Sequence, residues 1–198
     1  GVGERSSMVA EVAIFTDYGG SDGNPSSEEN ISSNSPVNLR FKTADNNTVD
    51  LIDEIPIPSS GINRSYWKHV YLKVIGGIFS RIDNVKFYAG GTNYGSGITV
   101  NVGDETPTKS SGYVLANGTR GTTGDELVAS HGGISGKTEI FGNYTSGSPK
   151  SVSISETGSI MDSVNETSDY LIFQMDVDST ATKSDLSNKT WTIQYDEV

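Results

Sequence analysis

The sequence predicts an all-β fold: an antiparallel β-sandwich of the jelly-roll kind, with about ten short strands and little helix. Two observations carry this expectation. Apolar and polar residues alternate over short runs, and no stretch shows a convincing 3.6-residue period. Between the runs the chain is dense in Gly, Ser, Thr and Asn, with 23 glycines in 198 residues and only 33% hydrophobic content, which is the usage of strands joined by turns.

Residues 8–16, MVAEVAIFT, are free of breakers and predict the first strand. Residues 19–36 have almost nothing to bury and predict a long polar loop or excursion. Val37, Leu39 and Phe41 alternate with Asn38, Arg40 and Lys42 to mark a second strand. Residues 49–57 form a further extended segment closed by Pro56 and Pro58, at an edge or a turn. The clearest core element is residues 67–76, where Val70, Leu72 and Val74 alternate with His69, Tyr71 and Lys73. Residues 82–90 place Val85, Phe87 and Ala89 in the same way. The two runs are expected to pair as a hairpin across Ile78 and Phe79. Residues 97–103 and 112–118 follow as short strands, residues 118–126 as a turn-rich connection, and residues 124–130 as the place for one helical turn. Strand-like runs over 137–145 and 150–155 precede a final pair. There Leu171, Phe173, Met175 and Val177 share one face of the first strand, and Trp191, Ile193 and Tyr195 share one face of the second, which runs to Val198. The expected organisation is an N-terminal strand with a polar arm over 1–36 and a single sandwich domain over 37–198.

Charge and composition narrow the function classes. A formal net charge of −11 and no cluster of Lys or Arg disfavour nucleic acid as a partner. No apolar run is long enough for a membrane helix. Zero cysteines exclude a disulfide scaffold and a thiolate nucleophile or metal site.

Few residues suggest chemistry. His69 and His131 have no acid or hydroxyl in a catalytic spacing, and His69 is expected on the polar side of its strand, in a surface or cross-strand role. Asp176 and Asp178 share a strand face with Asp185 in the next loop, so a hard cation such as Ca²⁺ is the one cofactor the pattern allows; an exposed strand end explains the same residues. Asp17, Asp22, Glu28 and Glu29 are expected to be solvating charge in a mobile loop. Tyr66, Trp67, Tyr94 and Tyr113 are the aromatics available to stack on sugar rings. Seven Asn-x-Ser/Thr sequons, at Asn30, Asn46, Asn63, Asn117, Asn143, Asn165 and Asn188, read either as glycan acceptors on an exposed surface or as ordinary turn chemistry.

The run SDYLIFQMDVDSTA and the closing TWTIQYDEV, with Thr190, Thr192, Tyr195, Asp196 and Glu197, together with WKHVYLKV and IDNVKFYAG, resemble virion structural proteins of tailed phages and related archaeal viruses. The resemblance spans residues 66–198 and is a pattern of strands. It implies a capsid-associated or tail-associated β-sandwich present in many copies, with other copies of itself and a major capsid or tail protein as partners, located on the particle surface or otherwise extracellular. The leading expectation is a non-enzymatic virion structural protein, a capsid decoration or cement protein. The alternative is a carbohydrate- or receptor-binding jelly roll on a fibre, tail or cell surface. A glycoside-active enzyme, needing two carboxylates across a cleft, comes third.

Overall fold

The computed structural model describes residues 9–32, 38–105, 112–127, 133–183 and 186–198, and it is all-β and antiparallel as the alternation predicts. Strands β1 (Ala10–Tyr18) and β2 (Ser27–Asn30) form a hairpin, and β3 (Ile62–Arg64) leads through three residues into β4 (Lys68–Gly77). Next come β5 (Ile82–Ala89), β6 (Ile98–Glu105) and the two-residue strands β7 (Gly118–Thr119) and β8 (Thr123–Gly124). β9 (Ile134–Glu139) runs directly into the one-turn helix α1 (Ile140–Asn143), whose first amides are capped by the Glu139 carboxylate. β10 (Lys150–Ser151), β11 (Tyr170–Asp178) and β12 (Trp191–Glu197) complete the described strands.

Ten of these strands build two facing sheets, and β7 and β8 pair with each other as a separate two-stranded ribbon. The larger has the order β2-β1-β4-β11-β6-β9, and β3 continues beside β11 where β4 begins; the smaller has the order β10-β5-β12. Phe173 of β11 meets Phe87 of β5 and Trp191 of β12, at ring-centre distances of 5.1 and 4.8 Å. Around them Val70, Leu72, Val74, Ile82, Val100, Val102, Ile140 and Met161 close an apolar core between the sheets. Burial of each large side chain there contributes about 1.5–3 kcal/mol.

A second core covers the outer face of the large sheet. Residues 112–127 lie over it and bury Tyr66, Trp67, Tyr71, Tyr113, Val114, Leu127, Tyr170 and Ile172. β11 is therefore buried on both faces, which its near-continuous apolar run permits. The cover is held by Gln174, whose amide donates to the carbonyls of Ser65 and Asp125 while its oxygen accepts from the Leu127 amide. Gly124 fits here because a side chain at that position would collide with the Ser65 carbonyl.

Several expectations about pairing are corrected. β4 and β5 do not form a hairpin. Both edges of β4 are taken by β1 and β11, and both edges of β5 by β10 and β12, so residues 78–81 carry the chain from one sheet to the other. The last two strands, β11 and β12, are likewise in opposite sheets, and β11 is not half-buried. The excursion over 19–36 contains β2. Residues 38–42 are not a strand: Leu39 and Phe41 pack on the core, but the Arg40 amide and the Asn38 carbonyl are satisfied by the Asn47 side chain. Residues 49–53 bend and turn, with Asp53 at φ 59°, and residues 54–57 run on without strand pairing. Residues 113–117 are a cover without strand pairing, and residues 125–127 make no helical turn; 128–130 lie outside the described residues.

Candidate functional site

The polar groups with most potential for chemistry gather where β1, β2, β4 and β11 meet. Asp17 and Glu28 are direct cross-strand partners, an arrangement that places two carboxylates side by side. Asp17 is 1% exposed. The Tyr71 hydroxyl donates to its Oδ1 at 2.9 Å, and the Tyr170 hydroxyl donates to its Oδ2 at 2.5 Å. The same Tyr71 hydroxyl contacts Glu28 Oε2, and Lys73 Nζ pairs with Glu28 Oε1 at 2.8 Å. A phenol has one proton, so only one of the two Tyr71 contacts is a phenol-donated bond; the other is satisfied when a carboxyl group carries a proton. Burial, with the charges of Asp17 and Glu28 added, holds the Tyr71 hydroxyl far above the ordinary phenol range. This group therefore acts as a hydrogen-bond donor and not as a base.

Beside it, Asp17, Pro25, Ser26, Ser27 and Glu28 line a shallow, open depression of 280 Å³. The two carboxylates lie close enough for glycoside chemistry, but the Tyr71 oxygen occupies the space between them and Asp17 is sealed from the surface. The expectation that Asp17, Asp22, Glu28 and Glu29 are solvating loop charge is corrected for Asp17, which is buried because it ends an apolar run whose register carries it to Tyr71 and Tyr170; Glu28 is exposed and Glu29 half-buried, but both lie in β2.

His69 is also corrected. It is buried, not at the surface, with its ring centre 4.6 Å from that of Tyr113 and 5.4 Å from that of Tyr170. Burial drives its pKa down to about 3, opposed by the Val114 backbone and helped by Lys68, so the ring is neutral at pH 7. The polar side of β4 proved to be a second interior. The signal was the aromatic content of that face, Trp67 just before β4 and Tyr71 on it matched by Tyr170 on β11, which marks burial even where His69, Lys73 and Gln174 interrupt it. His131 lies outside the described residues.

The two candidate cation ligands among the described residues are each engaged within the fold. Asp176 belongs to an ion-pair cluster with Arg64 at 3.6 Å and Lys137 at 3.3 Å, and both cations also reach Glu126. Burial raises the Asp176 pKa above the carboxylate norm, although Lys137 and Arg64 pull against it. Asp178 instead closes the turn after β11, accepting from the Thr180 amide and hydroxyl, and those bonds lower its pKa. Asp185 lies outside the described residues. Among the described residues no group of three or more His, Asp or Glu is placed to hold a metal.

The proposed sugar-stacking rings are mostly interior. Tyr66, Trp67 and Tyr113 are buried, with the Trp67 indole donating to the Asp125 carbonyl, while Tyr94 is half-buried against Phe141. Among the sequons, Asn30, Asn117, Asn143, Asn165 and Asn188 are exposed. Asn46 and Asn63 are half-buried and engaged, Asn46 Oδ1 accepting from the Thr48 amide and Asn63 Nδ2 donating to the Pro56 carbonyl.

What the surface does offer is aliphatic. At one end of β4 lie Val9, Ile78 and Val198, joined by backbone bonds from Ile78 to Val9 and from Ser80 and Arg81 to Val198. Toward the other end, where Lys42 and Asn46 bond to Tyr66 and Lys68, the 48–62 segment exposes Val49, Leu51, Ile52, Ile57 and Ile62. Among the described residues no helix is long and apolar enough to cross a membrane. Comparison with protein-family models, curated proteins and solved structures finds no match.

Proposed function

We propose that this chain is a non-enzymatic structural subunit of a virus particle, a decoration or cement protein carried in many copies on the capsid surface. The observation that supports this most is the pair of separate aliphatic surfaces toward opposite ends of β4. One such surface suits a dimer; two different ones let a subunit contact two neighbours at once, as repeated or bridging assembly requires. The groups that would otherwise suggest catalysis or sugar binding are spent inside the fold: Asp17 on two phenols, His69 against the rings of Tyr113 and Tyr170, Trp67 on a backbone carbonyl. The short edge strands β2 and β10 and the longer β9 and β12 are further surfaces that neighbours can cover. The proposed partners are other copies of the chain and a major capsid protein.

The test is quantitative mass spectrometry of gradient-purified virions from the source, with electron microscopy of the same particles. The expected result is tens or more copies per particle and surface density that accommodates the sandwich. A chain missing from virions, or one that is a lone monomer and binds glycans, overturns the proposal.

A further inference from the structure

Strand β2 forms one edge of the large sheet with the sequence Ser27, Glu28, Glu29, Asn30, which contains no apolar side chain. It covers β1 from Phe15 to Tyr18. Its own attachment therefore rests on hydrogen bonds from its backbone and its polar side chains. Glu29 accepts from the Asn47 side-chain amide at 3.1 Å. Glu28 stands opposite Asp17, and the Tyr71 hydroxyl bridges the two, in contact with Asp17 Oδ1 and with Glu28 Oε2. Three oxygens joined by two hydrogen bonds need two protons, and the phenol supplies one. The second belongs to a carboxyl group. Asp17 Oδ2 already accepts from Tyr170, so the bonds run in one direction when protonated Glu28 donates to Tyr71 and Tyr71 donates to Asp17.

We propose that Asp17 and Glu28 hold one proton between them through Tyr71 at neutral pH, and that its loss as the pH rises releases β2 and uncovers the hydrogen-bonding edge of β1. Charge balance supports this. With one proton the pair carries a single negative charge, set against Lys73, whose Nζ lies 2.8 Å from Glu28 Oε1. Removing that proton places a second negative charge beside Asp17, which is almost wholly buried. Lys73 favours ionised Glu28 and so moderates the effect. The neighbouring titratable groups are otherwise engaged. Burial and the two carboxylates hold the Tyr71 hydroxyl far above the phenol range, so the proton that leaves is a carboxyl proton. From the cover, Tyr113 donates to the Gly19 carbonyl; His69, the cross-strand partner of Asp17 in β4, is neutral. Around the hairpin, Asp22 accepts from the Leu115 amide, Asp45 accepts from the Gly19 amide, and Tyr18 reaches Glu29. Once β2 is released, Glu28 lies in water and returns to the ordinary carboxylate range near about 4. Above that pH the closed form binds the extra proton, so rising pH favours opening, by up to about tenfold per pH unit. Opening driven by protonation of His69 has the opposite sign.

The test is amide hydrogen exchange of the full chain between about pH 5 and pH 8, corrected for intrinsic rates, with β11 as the control for global unfolding. The expected result is a β2 opening equilibrium that rises at least about tenfold across that range, with β11 more protected than β2 throughout. Glu28→Gln has no charge to lose, and its amide donates to Tyr71 as the protonated acid does, so its β2 protection should not change with pH. The infrared difference between the two proteins at about pH 6, above the ordinary carboxylate range, should show the carbonyl stretch of a protonated carboxyl group in wild type alone. Wild-type β2 protection that is flat or rises with pH overturns the latch. A Glu28→Gln protein that follows the wild-type profile, or gives no difference band, overturns the shared proton. The wild-type profile decides by itself if the variant does not fold, and neither readout depends on the chain's place in a particle.

Discussion

The two faces of β11 sit in interiors of opposite chemistry. Leu171, Phe173, Met175 and Val177 face an inter-sheet core of aliphatic side chains and phenylalanines, where hardly a polar atom needs a partner. Tyr170, Ile172 and Gln174 face a core of tyrosines, a tryptophan and a histidine threaded with buried polar groups, among them Asp17 and Ser65. The first is held by volume and the second by hydrogen bonds. Truncation should therefore hurt most in the first, whereas the second should respond to the loss of a single oxygen or to a change of pH.

The largest expected effect belongs to the apolar side. Phe173→Ala removes a ring that contacts both Phe87 and Trp191, and the resulting cavity should cost about 3–5 kcal/mol in urea unfolding, with no change in the pH dependence of stability. A loss under about 1 kcal/mol would mean that the two sheets are not packed through this residue.

The contrast between the two cores also explains what was legible in the sequence. Val70, Leu72, Val74, Leu171, Phe173 and Met175 were readable as core because alternation reports one buried face. Tyr71, His69, Tyr170 and Asp17 were not, because a buried face made of aromatics and polar residues looks the same in sequence as a solvent face. Partner choice between strands was equally hidden. Nothing local to residues 67–90 distinguishes a hairpin from a crossing between sheets; that is decided by which other strands already occupy the edges of β4 and β5. The segment over 38–57 misled for a different reason. Leu39 and Phe41 do bury apolar surface, as alternation suggested, but side chains such as Asn47 supply the backbone bonds that a strand partner would have made.

Of the two cores, acid should act on the polar one. The folded pKa of His69, about 3, lies below the value near 6.5 of an unfolded chain. Between those values the unfolded state binds more protons, so stability falls as the pH drops through 6.5 toward 3. The expected loss from this group over that window is about 4 kcal/mol. His69→Gln, neutral at every pH, should flatten that part of the profile, whereas Phe173→Ala should leave it intact. An unchanged acid profile in His69→Gln would remove His69 from the account.

A smaller effect is expected from one oxygen. Tyr170→Phe keeps the ring against His69 and Tyr71 but takes away the donor to Asp17 Oδ2. The cost should be about 2 kcal/mol, since the bond goes to a buried carboxyl group. The corresponding removal of an oxygen-free contact on the other face, Met175→Leu, should cost less, because volume is nearly conserved there. Equal costs for the two would erase the distinction between a core held by bonds and one held by volume.

Lys68 gives the finest test, because it is a charged residue on the β4 face that otherwise carries Val70, Leu72 and Val74. Its side chain is buried, and Nζ donates to the Asn46 carbonyl at 2.5 Å. Burial lowers its pKa to about 8, with Asp45 and Glu29 opposing that shift and Lys42 adding to it. At pH 7 the folded protein therefore carries a buried charge at a cost. Lys68→Met fills the same space without that charge, and should be about 1 kcal/mol more stable than wild type at pH 7. Between about 8 and the unfolded value of 10.5 the unfolded chain holds more protons, so wild-type stability rises with pH in that window. By pH 10 the folded amine is neutral and still bonded to Asn46, and the advantage of methionine should vanish. Urea midpoints of both proteins at pH 7 and pH 10 decide the matter: a gap that stays constant between the two would show that Lys68 keeps its charge in water, and that the apolar face of β4 ends at Val70.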